Sequence, residues 1–139
     1  IMAWKADATT GEVLAGGVGE GQRLDQLNGP TDVIVDRQTE TLLICDRENR
    51  RVMRWPRRSS SSLPRQGEIV IDNIRCAGLT LDAEGALYVS DTEKDEVRRY
   101  DKGGDKKGTL VAGGHGKGDQ RHQLNWPTYL FVDAQFTLY

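Results

Sequence analysis

Residues 31–36, Thr-Asp-Val-Ile-Val-Asp, decide the fold because the chain contains the same pattern twice more. It recurs as Gly-Leu-Thr-Leu-Asp at 78–82 and as Thr-Tyr-Leu-Phe-Val-Asp at 128–133. The closing aspartates at positions 36, 82 and 133 are 46 and 51 residues apart. Self-similarity with a period of about fifty residues indicates a repeat architecture, in which each repeat is one supersecondary unit.

Two further segments recur at matching positions in the repeats. The first is LLICD at 42–46, which corresponds to LYVSD at 87–91. The second is VMRW at 52–55, which corresponds to VRRY at 97–100 and to IMAW at 1–4. The order of the segments is therefore the same in every repeat that contains them.

Each repeat has the pattern of four short strands. Alternating apolar residues, such as Val33 and Val35, have the period of a strand rather than that of a helix. A fourth strand is predicted after a glycine at 11–14, 67–70 and 108–111. Four short antiparallel strands per repeat are typical of one propeller blade. We therefore expect an all-β fold, a β-propeller segment of four-stranded antiparallel blades.

The repeats define one partial propeller over residues 1–139. Residues 1–14 are predicted to supply the outer strands of a preceding blade, 30–72 and 77–113 to form two blades, and 127–139 to begin the next. Aromatic residues recur in register at the end of the third strand and are predicted to lie in the blade core: Trp4, Trp55 and Tyr100.

The register also predicts how much of a propeller is present. Tyr139 aligns with Tyr88 and Ile1 with Val97, so the segment equivalent to 89–96 separates the end of the chain from its beginning. The chain then corresponds to about three repeats, whereas propellers have roughly four to eight blades. We expect three blades of a six-bladed ring, either as a piece of a longer propeller or as a half that associates with a second copy.

The pattern resembles the NHL-repeat β-propeller family over nearly the whole chain. The resemblance depends on QLNxP at 26–30 and 123–127, on Asp46 and Asp91 after the second strand, and on NRRV at 49–52 before the third. It implies a propeller that recognises protein or RNA partners through loops on one face.

The resemblance also implies an ion pair in the first repeat, between Asp46 and Arg51. In the second repeat Glu96 stands in the position of Arg51, so the same pair is not expected for Asp91. Cys76 occupies a position where the family has proline.

A meander of strands places the inter-blade connections on the same face as the loops between second and third strands. Because loops on a rigid scaffold are where recognition concentrates, this face is the predicted working surface. Its candidate residues are Asn28, Asp46, Arg47, Glu48, Arg50, Asp91, Thr92, Asn125 and Trp126.

A protein partner is expected on this face, and RNA is disfavoured. The net charge is −2, and nearby acidic residues dilute the local basic cluster of Arg47, Arg50 and Arg51. RNA recognition usually adds exposed aromatic residues that stack on bases, and Trp126 is the only clear candidate. Packing of Trp126 between blades is the alternative.

No catalytic, cofactor or metal site is predicted. The glycine clusters at 15–21 and 112–118 are not followed by a helix pattern, which a phosphate-binding loop requires, so they are interpreted as structural loops. His115 and His122, with Asp119 between them, are expected to be solvated rather than metal ligands. No Ser-His-Asp constellation can be assembled, and no apolar run approaches the roughly 18 residues of a membrane span.

Ser59–Ser62 lie among arginines in the predicted loop between third and fourth strands. An unmodified solvated loop is the preferred interpretation. Phosphorylation is the alternative, because a phosphate beside arginine gains charge-assisted hydrogen bonds.

Cys45 and Cys76 are predicted to lie on the same face, so a disulfide between them is one expectation. The other is that Cys45 fills the small-residue position that Ser90 has in the next repeat. A disulfide would favour an oxidising, extracellular location, whereas thiols suit any compartment, so the localisation stays open.

Three functions are compatible with these observations. The first is a non-enzymatic interaction or scaffold module that recognises a protein partner. The second is a fragment of a propeller hydrolase or lyase whose catalytic residues lie elsewhere. The third is a partial propeller that associates with itself through its open blade faces.

Overall fold

The protein is described by a computed structural model over residues 1–57 and 65–139. Ser59–Ser62, considered above as a modification segment, lies outside the described residues. The described part is all-β and contains no helix, so the all-β part of the prediction is confirmed. The ten strands are β1 Met2–Ala3, β2 Glu12–Val13, β3 Pro30–Asp36, β4 Thr41–Asp46, β5 Arg51–Pro56, β6 Glu68–Asp72, β7 Cys76–Leu81, β8 Leu87–Asp91, β9 Glu96–Tyr100 and β10 Thr109–Gly113.

Two four-stranded antiparallel sheets make up most of the structure. The first sheet has the order β3-β4-β5-β6 and the second has β7-β8-β9-β10, so each is a simple meander of consecutive strands. β1 and β2 form a separate two-stranded sheet. Beyond β10, Val132 bridges Leu138, and Phe131 and Tyr139 exchange two backbone hydrogen bonds of 3.1 and 2.8 Å. Residues 131–139 therefore form a terminal hairpin.

The aspartate that closes the repeated sequence makes the turn after the first strand. Asp36 accepts a hydrogen bond of 2.9 Å from the backbone N–H of Gln38. Asp82 accepts one of 3.0 Å from Glu84, and Asp133 one of 2.9 Å from the N–H two residues later. A short carboxylate that binds the backbone two residues on is a strong turn former. The repeat in sequence is thus a repeat of one local structure.

Three apolar clusters join neighbouring units face to face. The cluster between the two four-stranded sheets includes Leu43 of β4 and Leu79 of β7. A second cluster packs Ile1 and residues 14–15 against the first sheet. A third packs Tyr88 of β8 against the terminal hairpin. The units are therefore stacked in chain order, each on its predecessor.

The glycine that precedes each fourth strand has no side chain, which leaves space for the aromatic residue of the third strand. A Cβ on Gly67 would lie 2.5 Å from Trp55, and a Cβ on Gly108 would lie 2.7 Å from Tyr100. Trp55 is fully buried, and partial burial of Tyr100 raises the pKa of its hydroxyl to about 12. Close approach of an aromatic ring explains why the residue at this position is glycine.

The prediction that Trp4 lies in the core is wrong. Trp4 is 62% exposed, although it also packs on a glycine, Gly11. Its counterpart Trp55 is paired with Leu42 of β4, whereas β1 pairs only with β2. Among residues 1–57 and 65–139, no third strand pairs with this two-stranded sheet to cover the indole.

Gly78 allows the segment that leads into the terminal hairpin to lie directly on β7. A Cβ at this position would be 2.1 Å from the carbonyl oxygen of Thr128. The Ser90 hydroxyl connects the same two segments, because it accepts from the Gly78 N–H at 2.9 Å and donates to the Thr128 carbonyl at 2.8 Å. The backbone of β7 and the backbone just before the hairpin are therefore in direct contact.

Replacing Gly78 with alanine should destabilise the protein by about 1–3 kcal/mol, because backbone atoms must move to admit the methyl group. Urea unfolding would measure this. Gly104→Ala is the matched control, since the nearest atoms to its Cβ are 3.2 Å away. Equal unfolding midpoints for the two variants would contradict the close approach.

Candidate interaction face

One side of the structure collects the turns β4–β5 and β8–β9 and the segments that precede β3 and β7. The Glu48 N–H donates to the Asn28 carbonyl at 3.2 Å, and the Thr92 N–H donates to the Arg75 carbonyl at 3.0 Å. Trp126 comes to the same side, because its ring lies 5.2 Å from the Arg47 guanidinium carbon. We call this surface the turn face.

A buried ion pair fixes the first part of the turn face. Arg51 Nε donates to Asp46 Oδ2 at 2.6 Å, and both side chains are buried. The remaining guanidinium nitrogens donate to the backbone carbonyls of Gln22, Arg23 and Gln26 at 2.8 to 3.1 Å. One side chain of β5 therefore holds residues 22–26 of the loop before β3.

Asp46 and Asn49 complete this network. The other Asp46 oxygen accepts from the Asn28 N–H at 2.7 Å. The Asn49 amide donates to Asp46 at 2.8 Å and to the Gly21 carbonyl at 2.7 Å. The carboxylate is thus surrounded by donors, as a buried charge requires.

The corresponding aspartate of the second repeat, Asp91, has different partners. Asp91 is buried, and it accepts from the N–H groups of Glu93 and Lys94 at 3.0 and 3.3 Å. Lys94 Nζ lies 3.6 Å from its other oxygen. Glu96, in the position of Arg51, instead accepts a hydrogen bond of 2.7 Å from Arg98 Nε. The Asp91 carboxylate is therefore held by groups of its own turn and not by an arginine.

Three of the candidate residues are buried and are not available to a partner. Asp46, Asp91 and Thr92 point into the turns and bond to the protein's own backbone. Their role in this structure is to hold the turns. The sequence pattern does not distinguish such residues from surface ones, because both recur at the same place in a loop. The partly or fully exposed candidates are Asn28, Arg47, Glu48, Arg50, Asn125 and Trp126.

Trp126 is presented outward by its backbone. It has a φ of 53°, in the left-handed region, and its counterpart Gly29 has a φ of 57°. The Trp126 N–H donates to Asp95 Oδ1 at 2.8 Å, which fixes this conformation. The indole is 52% exposed, so it does not pack between sheets in this structure. A tryptophan in the left-handed region, which favours glycine, strains the backbone, and this strain indicates a role other than packing.

The arginines of the turn face differ in their partners. Arg50 donates to Glu93 at 2.8 Å, and this hydrogen bond lowers the pKa of the Glu93 carboxyl. Arg75 lies 3.6 Å from the Glu48 carboxylate. The Nε of Arg47 is buried, lies 4.0 Å from Glu48 and has no hydrogen-bond partner among the described residues. Of these three arginines, Arg47 therefore has the weakest polar contacts within the described protein.

Glu93, Arg75 and Asp95 belong to the turn face but were not among the predicted candidates. Asp95 could have been found, because it aligns with Arg50 immediately before the third strand, and both have positive φ. Arg75 and Glu93 also lie in segments that the sequence placed on this face, but only the stacking of the sheets brings them beside Glu48 and Arg50 of the first repeat.

Cys45 and Cys76 join the two sheets. Cys45 lies near the end of β4, Cys76 begins β7, and the structure has them in a disulfide with a Cα–Cα distance of 5.7 Å. Both belong to the apolar cluster between the sheets.

The rings of His115 and His122 are exposed and stand edge to face with centroids 5.5 Å apart. No group of three or more metal-ligating side chains converges in residues 1–57 and 65–139. The same residues include no helix of the length and apolarity needed to cross a membrane.

The glycine clusters form corresponding loops. Each has a parallel bridge, Glu20 with Leu27 in one and Lys117 with Leu124 in the other. An open cleft of about 550 Å³ separates the edges of the two sheets away from the turn face, and apolar, acidic and lysine side chains line it together.

No family model matches this chain, and no curated protein matches it either.

Proposed function

We propose that the chain is a segment of a β-propeller of the NHL type and that it recognises a protein partner through its turn face. The repeated four-stranded meanders and their face-to-face stacking in chain order support the architecture. The exposed indole of Trp126 beside Arg47 supports the function, and it is the observation on which the proposal chiefly depends.

The turn face is suited to binding because its parts are rigid. Three loops of the turn face are held in place in the unbound chain. The contacts that hold them are the Arg51 network, the Arg50–Glu93 pair and the Asp95–Trp126 hydrogen bond. Preorganised side chains lose less conformational entropy on binding. Trp and Arg are also the side chains that most often dominate the energy of protein interfaces.

Arg47 and Trp126 define the chemistry that a partner should have. The indole offers apolar area, and the arginine offers a cation that lies over the ring rather than in a strong ion pair. A peptide with an apolar side chain next to an aspartate or glutamate would satisfy both groups. The partner is therefore proposed to be a protein with an acidic, partly apolar segment.

Replacing Trp126 with alanine should weaken binding of such a segment at least about tenfold, because a buried aromatic anchor typically contributes 2 kcal/mol or more. The probe would be a peptide selected from a random displayed library on immobilised wild-type chain. Its affinity for both forms would be measured by calorimetry. Enrichment of acidic residues in the selected peptides is expected.

Val111→Ala is the matched control, since Val111 is an exposed apolar residue on the outer strand β10. It should bind the peptide as the wild type does. Equal affinities of the Trp126 variant and the wild type would refute the proposal. Tighter binding of a labelled single-stranded RNA that depends on Trp126 would replace the protein partner with RNA.

A further inference from the structure

We infer that the cleft between the two four-stranded sheets binds a small organic anion with an apolar body, such as a medium-chain or aromatic carboxylate. The cleft has a volume of about 550 Å³, which lies within the range of sites that bind small molecules. The turns β3–β4, β7–β8 and β9–β10 border it, at the strand ends away from the turn face. This inference is therefore independent of the turn face.

The cleft opens where the two sheets diverge. β3 and β4 of the first sheet contact β7 of the second, and the disulfide between Cys45 and Cys76 joins the sheets there. The strands β5, β6 and β9 contribute Arg54, Ile71 and Tyr100 to the walls of the cleft. Both sheets have all four strands in this chain, so the cleft is a feature of the junction between two full repeats.

The buried part of the lining is apolar. Leu43, Ile71 and Leu87 belong to the cluster between the sheets, and Leu81 and Tyr100 pack on that cluster. Partial burial raises the pKa of the Tyr100 hydroxyl to about 12, so it keeps its proton at neutral pH and can donate a hydrogen bond. The lining therefore offers apolar area to the body of a ligand and a neutral donor beside it.

The lining also includes cations from both sheets. Arg54 belongs to β5, whereas Lys102 and Lys106 belong to the turn β9–β10. Arg54 donates to Glu68 at 3.4 Å, which is long for a hydrogen bond, and its Nε has no partner among the described residues. The Lys102 amino group contacts the amide oxygen of Gln38, which is a neutral acceptor. Arg54 and Lys102 can therefore each bind a negatively charged group.

The carboxylates of the lining are more strongly engaged than the cations. Formal charge alone does not favour an anion, since four carboxylates and three cations line the cleft. Asp36 is buried, however, and accepts a hydroxyl and a backbone N–H of its own turn at 2.7 and 2.9 Å. Asp101 pairs with Arg99 at 2.6 Å, and Asp105 accepts a backbone N–H of its own turn at 2.9 Å. The groups with spare capacity are the donors, so the cleft favours an anion over a cation.

Displacement of a fluorescent dye would test the class of ligand. Anilinonaphthalene sulfonate has an aromatic body and an anionic group, and it should bind the wild-type chain with an increase in emission. Octanoate should displace it, whereas octylammonium, which has the opposite charge, and acetate, which lacks the apolar body, should not at the same concentration. Equal displacement by octylammonium, or the absence of any dye that octanoate displaces, would overturn the inference.

Replacing Arg54 with glutamine should weaken octanoate binding about tenfold, because the substitution removes a charge-assisted hydrogen bond. Arg57→Gln is the matched control. Both arginine side chains are 41% exposed and pair with a glutamate, but Arg57 does not line the cleft. The control should keep the wild-type affinity. Equal affinities of the Arg54 variant and the wild type would refute the assignment of the site.

Ile69 allows the sign of the charge to be tested with little disturbance of the core, because it lines the cleft and is 38% exposed. Ile69→Asp should weaken octanoate binding and Ile69→Lys should strengthen it, each by about fivefold. Val111→Asp, at an exposed valine of β10 outside the cleft, should have no effect. Circular dichroism would show that each variant is folded. Changes of the same sign in both Ile69 variants would overturn the inference.

Discussion

Replacing Arg51 with methionine is expected to lower the free energy of unfolding by about 3–5 kcal/mol, because it leaves a buried carboxylate without its partner. Asp46 is fully buried, and its Oδ2 receives the Arg51 Nε at 2.6 Å. The substitution also removes the donors of three backbone carbonyls in the loop before β3. Urea unfolding monitored by tryptophan fluorescence would measure the change.

Arg57→Met is the matched control for this prediction. Arg57 pairs with Glu40 at 3.3 Å, but both side chains are largely exposed. Exposed ion pairs contribute about 0–1 kcal/mol, so this variant should unfold close to the wild type. A similar small loss in the Arg51 variant would mean that the network around Asp46 does not hold the loop.

Removing the disulfide between Cys45 and Cys76 is expected to have the second large effect, a loss of about 3–4 kcal/mol of stability. The bond closes a loop with a sequence separation of 31, and restricting the unfolded chain to this extent has about that value. Unfolding of the wild type in urea, with and without a reducing agent, would measure it.

The Cys45→Ala/Cys76→Ala variant provides the control, because a reducing agent should not change its unfolding midpoint. Alkylation of the denatured protein gives an independent readout. Two alkyl groups should be added after reduction and none before it. Alkylation of the unreduced wild type would show that the cysteines are thiols, and the predicted loss would then be absent.

The strands were predictable because their signals are local. The repeated aspartate makes the turn after each first strand, and its hydrogen bonds are to residues two positions away. The glycine before each fourth strand accommodates an aromatic residue of the preceding strand. Each of these features depends on a few neighbouring residues, and the repeat presents each of them more than once.

The members of the turn face were only partly predictable. Asn28, Arg47 and Trp126 do come to one side, since a meander fixes which loops lie together. Burial of Asp46, Asp91 and Thr92 was not foreseen, because it depends on how far each turn folds back on its own backbone. The sequence does not indicate how closely each turn packs on its own backbone.

The sequence by itself determined the strand order, the four-stranded unit and the turn residues, because hydrophobic period and turn chemistry act within a few residues of one another. Only the tertiary structure decided which aromatic residues are covered, since Trp55 has a paired neighbour in β4 and Trp4 does not. It also decided that Arg47 meets Trp126 across 79 positions of the chain. Burial and long-range contact depend on the packing of whole sheets, and no local pattern encodes them.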